Sequence, residues 1–251
     1  MRVLNIDIRN MDKKEPLISC LMVTRGVNPE IIDGALYCYA NQTWKNKELV
    51  VVTDCNIKTR NGLIDLLNKY KDYNIKLIYH EHKLLMGALR NVSIEHASGD
   101  YCIQWDDDDL YHAERIEKQY SAIIKGDYDY CLLTEFMMYF KNTHLLSTNR
   151  WSIHNFISGI PSTIMFKTSI DYKYSNNVQY GEDVEIAKCF HLKELLIEGM
   201  PYLYVYIYHG GNSYDYNHYL KFYHCTNTSF NIESFKMIAP LLNYMGMDYR
   251  F

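Results

Sequence analysis

An apolar run meets four consecutive aspartates at Tyr101-Cys102-Ile103-Gln104-Trp105-Asp106-Asp107-Asp108-Asp109. The apolar run predicts a buried β-strand, and strand alternation predicts that Asp106 and Asp108 point to the same side. Four carboxylates so close together repel one another unless water or a cation screens them. Two hard oxygen ligands on one side suit Mg²⁺ or Mn²⁺. The junction therefore predicts a divalent metal site, and a solvated acidic loop is the structural alternative.

Length and composition favour a soluble enzyme. The chain has 251 residues, of which 48% are hydrophobic, and its net charge of −4 leaves no basic footprint for nucleic acid. Its apolar runs, such as residues 202–208, are far shorter than a bilayer span, and no signal peptide opens the sequence. The seven cysteines are scattered without a C-x-x-C pair, which predicts reduced thiols that mostly lie in the core. We therefore expect a cytoplasmic protein without a transmembrane segment, and we leave a peripheral membrane location and an oligomeric state open.

The first half of the chain alternates between strand and helix patterns. Apolar runs predict strands at residues 17–23, 48–53, 75–79 and 101–105, and helices are predicted between them, from Pro29, around Leu63 and at residues 87–97. Strands separated by helices of this length imply an α/β fold with a mainly parallel sheet. Ligands bind such sheets beyond the carboxyl ends of the strands. Thr24, Arg25, Asp54 and the aspartate run should therefore gather along one edge.

The second half of the chain gives a looser pattern. We predict strands at residues 130–134, 162–166 and 202–208, a helix at residues 184–190 and a further helix in the tail of residues 230–251. Residues 149–151 are expected to form a mobile loop that decides specificity. No internal repeat or low-complexity linker divides the sequence, so we expect a single domain over residues 1–251.

Seven segments follow one another in a recognisable order. They are residues 16–25, residues 42–54, Gly87-Ala88-Leu89-Arg90-Asn91, Ala97-Ser98-Gly99-Asp100-Tyr101, Asp106-Asp107-Asp108, Gly181-Glu182-Asp183 and His209-Gly210-Gly211-Asn212. Each is weak alone, but together they resemble the motifs of glycosyltransferase family 2, the inverting nucleotide-sugar transferases, across residues 16–219. The resemblance implies a GT-A fold, with a Rossmann-like central sheet flanked by helices and a smaller acceptor-side region. It implies a nucleotide-sugar-binding half at about residues 16–110, an acceptor and catalytic half at about 111–220 and a helical tail at about 221–251.

The resemblance also implies an activity. The chain would move a sugar from a nucleoside diphosphate sugar, with a UDP-sugar preferred, to a hydroxyl group of a glycan, lipid or protein. Asp183 would be the catalytic base, because a carboxylate within reach can take the proton of the attacking hydroxyl. Glu182 would help to bind the acceptor. Both residues also stand where a helix begins, so helix capping is the structural alternative.

The same resemblance assigns binding residues. The metal would be Mn²⁺ or Mg²⁺, held by Asp106, Asp108 and His209, although counting cannot settle which of the aspartates ligate, and His209 alone could be a turn residue. The metal would offset the charge of the leaving diphosphate. The residues that would bind the nucleotide sugar are Val23, Thr24, Arg25, Asp54, Gly87, Arg90, Asp106 and Asp107. Asp54 would accept a hydrogen bond from the base, unless it only ends a strand. Arg90 would lie near the diphosphate or pair with the aspartates.

Two other classes of protein stay open. A metal-dependent nucleotidyltransferase or phosphohydrolase would also place aspartates at a sheet edge, but it would not need the pair Glu182-Asp183. A non-catalytic nucleotide-sugar-binding protein would keep the fold, although the intact Asp108 and Asp183 argue against it. The donor sugar, the base, the acceptor and the linkage cannot be read from these residues.

Overall fold

The computed structural model describes residues 15–26, 28–151, 159–178, 181–183, 192–225, 227–229 and 231–251, which form two β-sheets and flanking helices. The strands are β1 (Ile18–Val23), β2 (Lys47–Thr53), β3 (Ile75–Tyr79), β4 (Tyr101–Gln104), β5 (Leu110–Tyr111), β6 (Tyr130–Leu133), β7 (Glu135–Phe140), β8 (Leu145–Arg150), β9 (Met165–Lys167), β10 (Glu194–Ile197), β11 (Tyr204–Tyr208) and β12 (Asn227–Ser229). The helices are α1 (Pro29–Ala40), α2 (Ile57–Asn68), α3 (Met86–Glu95), α4 (Arg115–Gly126), α5 (Tyr216–Cys225) and α6 (Ile232–Tyr244).

The larger sheet has seven strands in the order β10-β6-β9-β4-β1-β2-β3. All of its strands run parallel except β9, which is antiparallel to both β4 and β6. The strands β1 and β2 are buried along their whole length, which explains why their sequences read as unbroken apolar runs. The predicted α/β class with a mainly parallel sheet is confirmed.

The smaller sheet has five strands in the order β12-β8-β7-β11-β5. Strands β7 and β8 form an antiparallel hairpin, and β11 lies between β7 and β5. Strand β5 directly follows the four aspartates, so these residues connect the two sheets. The strands β6, β9 and β10, which come after residue 110, nevertheless complete the larger sheet.

A buried glutamine fastens α1 to the segment that follows the aspartates. Gln42 is completely buried, and its Nε2 donates to the carbonyl oxygens of Cys38 at 3.0 Å and His112 at 2.9 Å. Its Oε1 accepts from the backbone N–H of Ile116 at 3.2 Å. Because the side-chain amide is satisfied at both ends, it costs little to bury and fixes the start of α4.

Two predicted strands begin later than expected. Residues 162–166 and residues 202–208 were each predicted as strand, but 3₁₀ turns occupy Pro161–Thr163 and Pro201–Leu203. The strands that follow are β9 and β11. In both cases proline, which lacks a backbone N–H, stands at the first position of the turn and keeps these residues out of the ladder.

The loop predicted at residues 149–151 is wrong for its first two residues. Asn149 and Arg150 end β8, where Arg150 pairs with Glu135 of β7, so the hairpin extends further than its polar sequence indicated. The helix predicted at residues 184–190 lies outside the described residues. The helix predicted in the tail is confirmed as α6.

The tail helix and the cysteines complete the fold. Buried Ile238 and Leu242 turn one face of α6 towards the core. None of the helices in the described segments is both long and apolar enough to cross a membrane. Five cysteines that the structure describes are free thiols in the interior, as predicted from their scattered positions: Cys20, Cys38, Cys55, Cys102 and Cys131.

Candidate active site

A cleft of about 670 Å³ opens where the two sheets meet at the carboxyl ends of β1 and β4. It brings together most of the residues singled out in the sequence, namely Val23, Arg25, Arg90, Asp106, Asp107, Asp108, Glu182 and Asp183. Asp183 and the aspartate run thus line one cavity although they are separated by many residues in the chain. The remaining predicted residues, Thr24, Asp54, Gly87 and His209, lie around this cavity and support its walls.

Asp106 is held in a chain of charged groups. Its Oδ1 accepts from Gln104 Nε2 at 2.8 Å and from Arg90 Nη2 at 3.2 Å. Nε of Arg90 lies 3.2 Å from Glu182 Oε1, and the guanidinium lies 5.2 Å from the centre of the Tyr174 ring. Arg90 therefore pairs with the aspartate cluster, which is one of its two expected roles. This arginine also joins the cluster to the predicted catalytic pair.

Burial makes the aspartate cluster costly to ionise. Burial, together with the charge of Asp108, raises the pKa of Asp107 to about 8 and raises the pKa of Asp109 well above its usual range. Burial also raises the pKa of Asp106, against the opposing effect of Arg90. Crowded carboxylates removed from water favour binding of a proton or a cation. The cluster is therefore suited to receive positive charge.

Asp108 meets the histidine segment. Its Oδ2 lies 3.3 Å from His209 Nε2 and accepts from Asn212 Nδ2 at 3.1 Å. Asn212 also donates to the carbonyl oxygen of Ile207 at 2.9 Å, and its Oδ1 accepts from the backbone N–H of His209 at 2.9 Å. Asn212, which was named in the sequence only as part of the segment 209–212, thus holds Asp108 and His209 in fixed positions relative to each other.

The predicted arrangement of metal ligands needs correction. Strand β4 ends at Gln104 and the middle of the aspartate run forms a turn, so strand alternation does not apply, and Asp106 and Asp108 face different partners. No group of three or more His, Cys, Asp or Glu side chains in the described residues is arranged to hold a metal ion. The trio of Asp106, Asp108 and His209 is therefore not assembled around one point.

A smaller part of the predicted ligand set does fit a metal. The oxygen of Asp108 and the imidazole nitrogen of His209 face each other at 3.3 Å, and the Asp108 side chain is 31% exposed. A carboxylate oxygen and an imidazole nitrogen are ligand types that Mn²⁺ accepts. This pair would leave most of the coordination shell to other groups, such as phosphate oxygens and water.

The carboxylate of Asp54 is enclosed on the nucleotide side of the cleft. Its side chain has no solvent exposure, and its oxygens accept from Lys83 Nζ at 2.9 Å and from the backbone N–H of Leu84 at 3.1 Å. Arg25 Nε lies 3.9 Å away. Although burial alone would raise it, these donors hold the pKa of Asp54 below its usual range. A nucleobase could reach Asp54 only by displacing Lys83, a residue that the sequence analysis did not single out.

Gly87 and Thr24 shape the floor of the cleft. A Cβ atom on Gly87 would lie only 1.9 Å from the carbonyl oxygen of Ser175 and 3.2 Å from Cβ of Glu182. Glycine therefore lets α3 approach the Glu182 segment closely enough for their ion pair. The Thr24 hydroxyl donates to the Asp107 carboxylate and accepts from the backbone N–H of Gly26 at 3.0 Å.

Two tyrosines clamp the ends of the aspartate turn. The Tyr111 hydroxyl donates to the carbonyl oxygen of Asp106 at 3.1 Å. The Tyr204 hydroxyl donates to Asp109 Oδ2 at 2.5 Å, and Asp109 Oδ1 accepts from the backbone N–H of Ile207 at 2.9 Å. The fourth aspartate is therefore a structural residue that ties the turn to β11.

A buried arginine lies beneath this turn. The guanidinium of Arg115 is 4.5 Å from the centre of the Tyr111 ring, 5.3 Å from that of Trp105 and 5.9 Å from that of Tyr204. Its Nε donates to Gln119 Oε1 at 3.0 Å, and the residue is completely buried. Cation–π contacts of this kind hold the rings that clamp the aspartates. The sequence carried no signal for this group of rings around Arg115, because Tyr204 lies far along the chain from Trp105, Tyr111 and Arg115.

The chain is similar to a known protein family and to several of its members. The family model described as Glycosyl transferase family 2 matches residues 19–190. A relative from Haemophilus influenzae, described as an uncharacterized glycosyltransferase, is 32% identical over 127 residues, which make up 46% of this chain and 48% of the relative. The chain spans about half of the length, or less, of the curated relatives that it matches first.

Solved structures with low sequence identity share the fold. S. aureus TarS 1-349 in complex with UDP-GlcNAc matches with a TM-score of 0.63 at 18% identity, over 92% of this chain and 73% of that chain. The mannosyltransferase PcManGT from Pyrobaculum calidifontis, in complex with GDP-Man and Mn²⁺, matches with a TM-score of 0.60 at 12% identity, over 92% of this chain and 70% of that chain. The likeness confirms the GT-A fold.

Proposed function

The chain belongs to glycosyltransferase family 2, and we propose that it transfers a sugar from a nucleoside diphosphate sugar to a hydroxyl group, with inversion at the anomeric carbon. One observation carries this proposal. Asp183 and Asp108 line the same cleft, so that a proton acceptor and a group suited to the leaving diphosphate share one cavity. A single displacement needs both groups in one place.

The proposed donor is a UDP-sugar. TarS binds UDP-GlcNAc with this fold, whereas PcManGT binds GDP-Man, so GDP-sugars are the main competitors. On the nucleotide side Arg25 lines the cleft with a half-exposed side chain, which suits it to stack on a base or to pair with phosphate. Lys83 stands beside it over Asp54, so that both cations are available to an anionic donor.

The proposed cofactor is Mn²⁺ or Mg²⁺, held by Asp108 and His209. The support comes from their facing donor atoms, which lie 3.3 Å apart, and from the Mn²⁺ in the PcManGT complex. A metal bound there would act as a Lewis acid that offsets the negative charge of the departing diphosphate. Asn212 holds both ligands in place, and Arg90 pairs with Asp106 in the same cleft.

Asp183 is the proposed base. The carboxylate would take the proton of the acceptor hydroxyl while the anomeric carbon forms its new bond. Glu182 is buried and lies 3.2 Å from Arg90, so it would position the acceptor from a fixed site in the wall. The proton acceptor and the leaving group then lie on opposite sides of the anomeric carbon, as inversion requires.

A thermal-shift screen of nucleotide sugars tests the proposal. A ligand that binds only the folded chain raises the melting temperature, and we expect UDP-sugars with Mn²⁺ to give the largest rise. The same screen with EDTA in place of Mn²⁺ is the control, and it should lose most of the effect. If no nucleotide sugar stabilises the chain in either condition, the proposed function is wrong.

A further inference from the structure

The half of the cleft beyond the aspartate turn is lined mainly by aromatic rings. Six of them belong to Phe136, Trp151, Tyr206, Tyr214, His218 and Tyr219. The rings of Tyr206 and Tyr219 are stacked at 4.7 Å, and those of Tyr214 and His218 are stacked at 4.0 Å with an angle of 13° between their planes. Stacked pairs of this kind hold one another in place and form a firm, flat surface.

Polar groups interrupt this aromatic surface. Ser162, Asn212 and Ser213 line the cleft among the rings, and Glu182 and Asp183 line it beside them. The surface therefore combines flat apolar ring faces with neighbouring hydrogen-bonding atoms. An alkyl chain bound there would leave the polar groups without partners, and each buried unpaired group costs about 1–3 kcal/mol.

The cations of the cleft are already paired with carboxylates. Among the lining residues that the structure describes, the cations are Arg25 and Arg90; Arg25 Nε lies 3.9 Å from Asp54, and Arg90 contacts Asp106 and Glu182, each at 3.2 Å. Arg150, next in sequence to Trp151, forms an ion pair with Glu198 at 2.8 Å. Burial lowers the pKa of His218 against the opposing effect of Asp215, which favours the neutral form of its imidazole.

From these features we infer that the acceptor group entering the cleft is an uncharged sugar ring. The C–H face of this sugar packs on the aromatic rings, and one of its hydroxyl groups points towards Asp183. A uronic acid or a phosphorylated sugar would meet the carboxylates of Glu182 and Asp183, whose neighbouring cation Arg90 is already shared between Glu182 and Asp106. Like charges at such distances repel. The inference rests on the proposed function and names the acceptor class of that site.

Matched pairs of sugars test the inference. Saturation-transfer NMR would compare methyl β-glucoside with methyl β-glucuronide, and methyl β-galactoside with methyl β-galacturonide, on the full chain with UDP and diamagnetic Mg²⁺. We expect at least one neutral sugar to bind, and to bind at least about fivefold more tightly than its uronic acid, a difference of about 1 kcal/mol. Equal or tighter binding of the uronic acids overturns the inference. So does binding of none of the four.

Two variants sharpen this comparison. Tyr214→Leu removes one ring of a stacked pair and should weaken binding of the neutral sugar severalfold, whereas Tyr73→Leu, an exposed tyrosine before β3, is its control and should not. Ser213→Lys places a cation at an exposed position in the cleft. We expect it to shift the preference towards the uronic acid by at least about threefold. An unchanged ratio in a folded Ser213→Lys variant contradicts the charge argument.

The outcome can be separated from that of the proposed function. Stabilisation by nucleotide sugars with Mn²⁺ reports on the donor site alone, because the test contains no acceptor. If donors stabilise the chain but uronic acids bind best, the acceptor inference fails and the proposed function stands. If no donor stabilises it, both fail.

Discussion

The two sides of the cleft use their carboxylates in opposite ways. On the side built by β1, β2 and β3, Asp54 is completely enclosed and bonded to Lys83 and to a backbone N–H. Asp183, in the segment between β9 and β10, instead lines the open cavity. A carboxylate already neutralised by protein donors stabilises its surroundings, whereas one that lines a cavity can meet a bound molecule. The environment, more than the residue type, therefore distinguishes the enclosed Asp54 from Asp183, the proposed base.

The aspartate turn between the two sides should give the largest effect on ligand binding. We expect Asp108→Ala to lower Mn²⁺-dependent nucleotide affinity by more than about 100-fold, because even residues that only support a metal ligand cost 10–100-fold. Isothermal titration calorimetry with UDP and Mn²⁺ measures this loss. Asp65→Ala, at an exposed position of α2, is the control and should bind normally. Undiminished affinity of Asp108→Ala would remove this residue from the metal site.

Substitution of Asp183 should lower the turnover number and not the affinity for the donor. We expect Asp183→Asn to cut kcat by about 10²–10⁴-fold, which is the usual contribution of a general base. Donor affinity should stay nearly unchanged, since the substitution keeps the size of the side chain. Steady-state kinetics together with nucleotide titration measures both quantities. Normal turnover would mean that another group takes the proton.

The close contact that joins the two sides can be broken by one methyl group. Gly87→Ala would place Cβ 1.9 Å from the carbonyl oxygen of Ser175, so α3 must shift away from the Glu182 segment. We expect a loss of about 1–3 kcal/mol of unfolding free energy, as for other overpacked sites. The control is Gly62→Ala, where a Cβ atom meets nothing within 4 Å. That helical substitution should stabilise the chain by about 0.5–1 kcal/mol. Urea denaturation of both variants measures the difference, and equal stability would contradict the close-contact argument.

Breaking the ion pair between Asp54 and Lys83 should give the smallest effect on the free energy of unfolding, and that effect should depend on pH. The pKa of Asp54 lies below its usual value of 3.8, so its stabilising contribution is present above that value and is lost as pH falls through the lower folded-state pKa. Lys83→Met removes a partner whose side chain is 66% exposed and should cost about 0.5–1 kcal/mol at pH 7. The cost should begin to shrink below about pH 4, where Asp54 of the unfolded chain takes up a proton, and should vanish below the lower pKa that Asp54 has in the folded chain.

Urea denaturation at pH 7 and pH 3 checks this signature. Lys58→Met, at an exposed position of α2, is the control and should show no such pH dependence. A cost for Lys83→Met that is the same at both pH values would mean that the lysine acts through packing and not through the charge of Asp54.

Five strands of the larger sheet, β1 to β4 and β6, could be predicted from local patterns, whereas β10 was not predicted. Strands β1 and β2 are buried on both faces, so their sequences are continuous apolar runs such as Val50-Val51-Val52, and helices of regular spacing separate them. The edge where Arg25 and the aspartates meet follows from parallel strand order alone. The smaller sheet was harder, because β7 pairs with β11 across a long stretch of chain and Pro201 replaces the predicted start of β11 with a 3₁₀ turn.

The contacts within the site were only partly predictable. The meeting of Asp108 with His209 was expected from the family motifs, and the pairing of Arg90 with Asp106 was one of two expected roles. Lys83 could not be recognised, because a lysine in a polar loop has no distinguishing pattern. The same holds for Arg115, whose aromatic partners are brought together only by the folded chain.

Trp105, one of the three rings that surround Arg115, gives the chain an internal fluorescence probe. Trp105 is completely buried, directly precedes Asp106 and packs 4.1 Å from the ring of Tyr111. The emission of an indole depends on the charges around it, so fluorescence from this ring should register the arrival of a cation at the neighbouring carboxylates. The sequence has only two other tryptophans, Trp44 and Trp151, and replacing both by phenylalanine would leave Trp105 as the single tryptophan, directly before the aspartates.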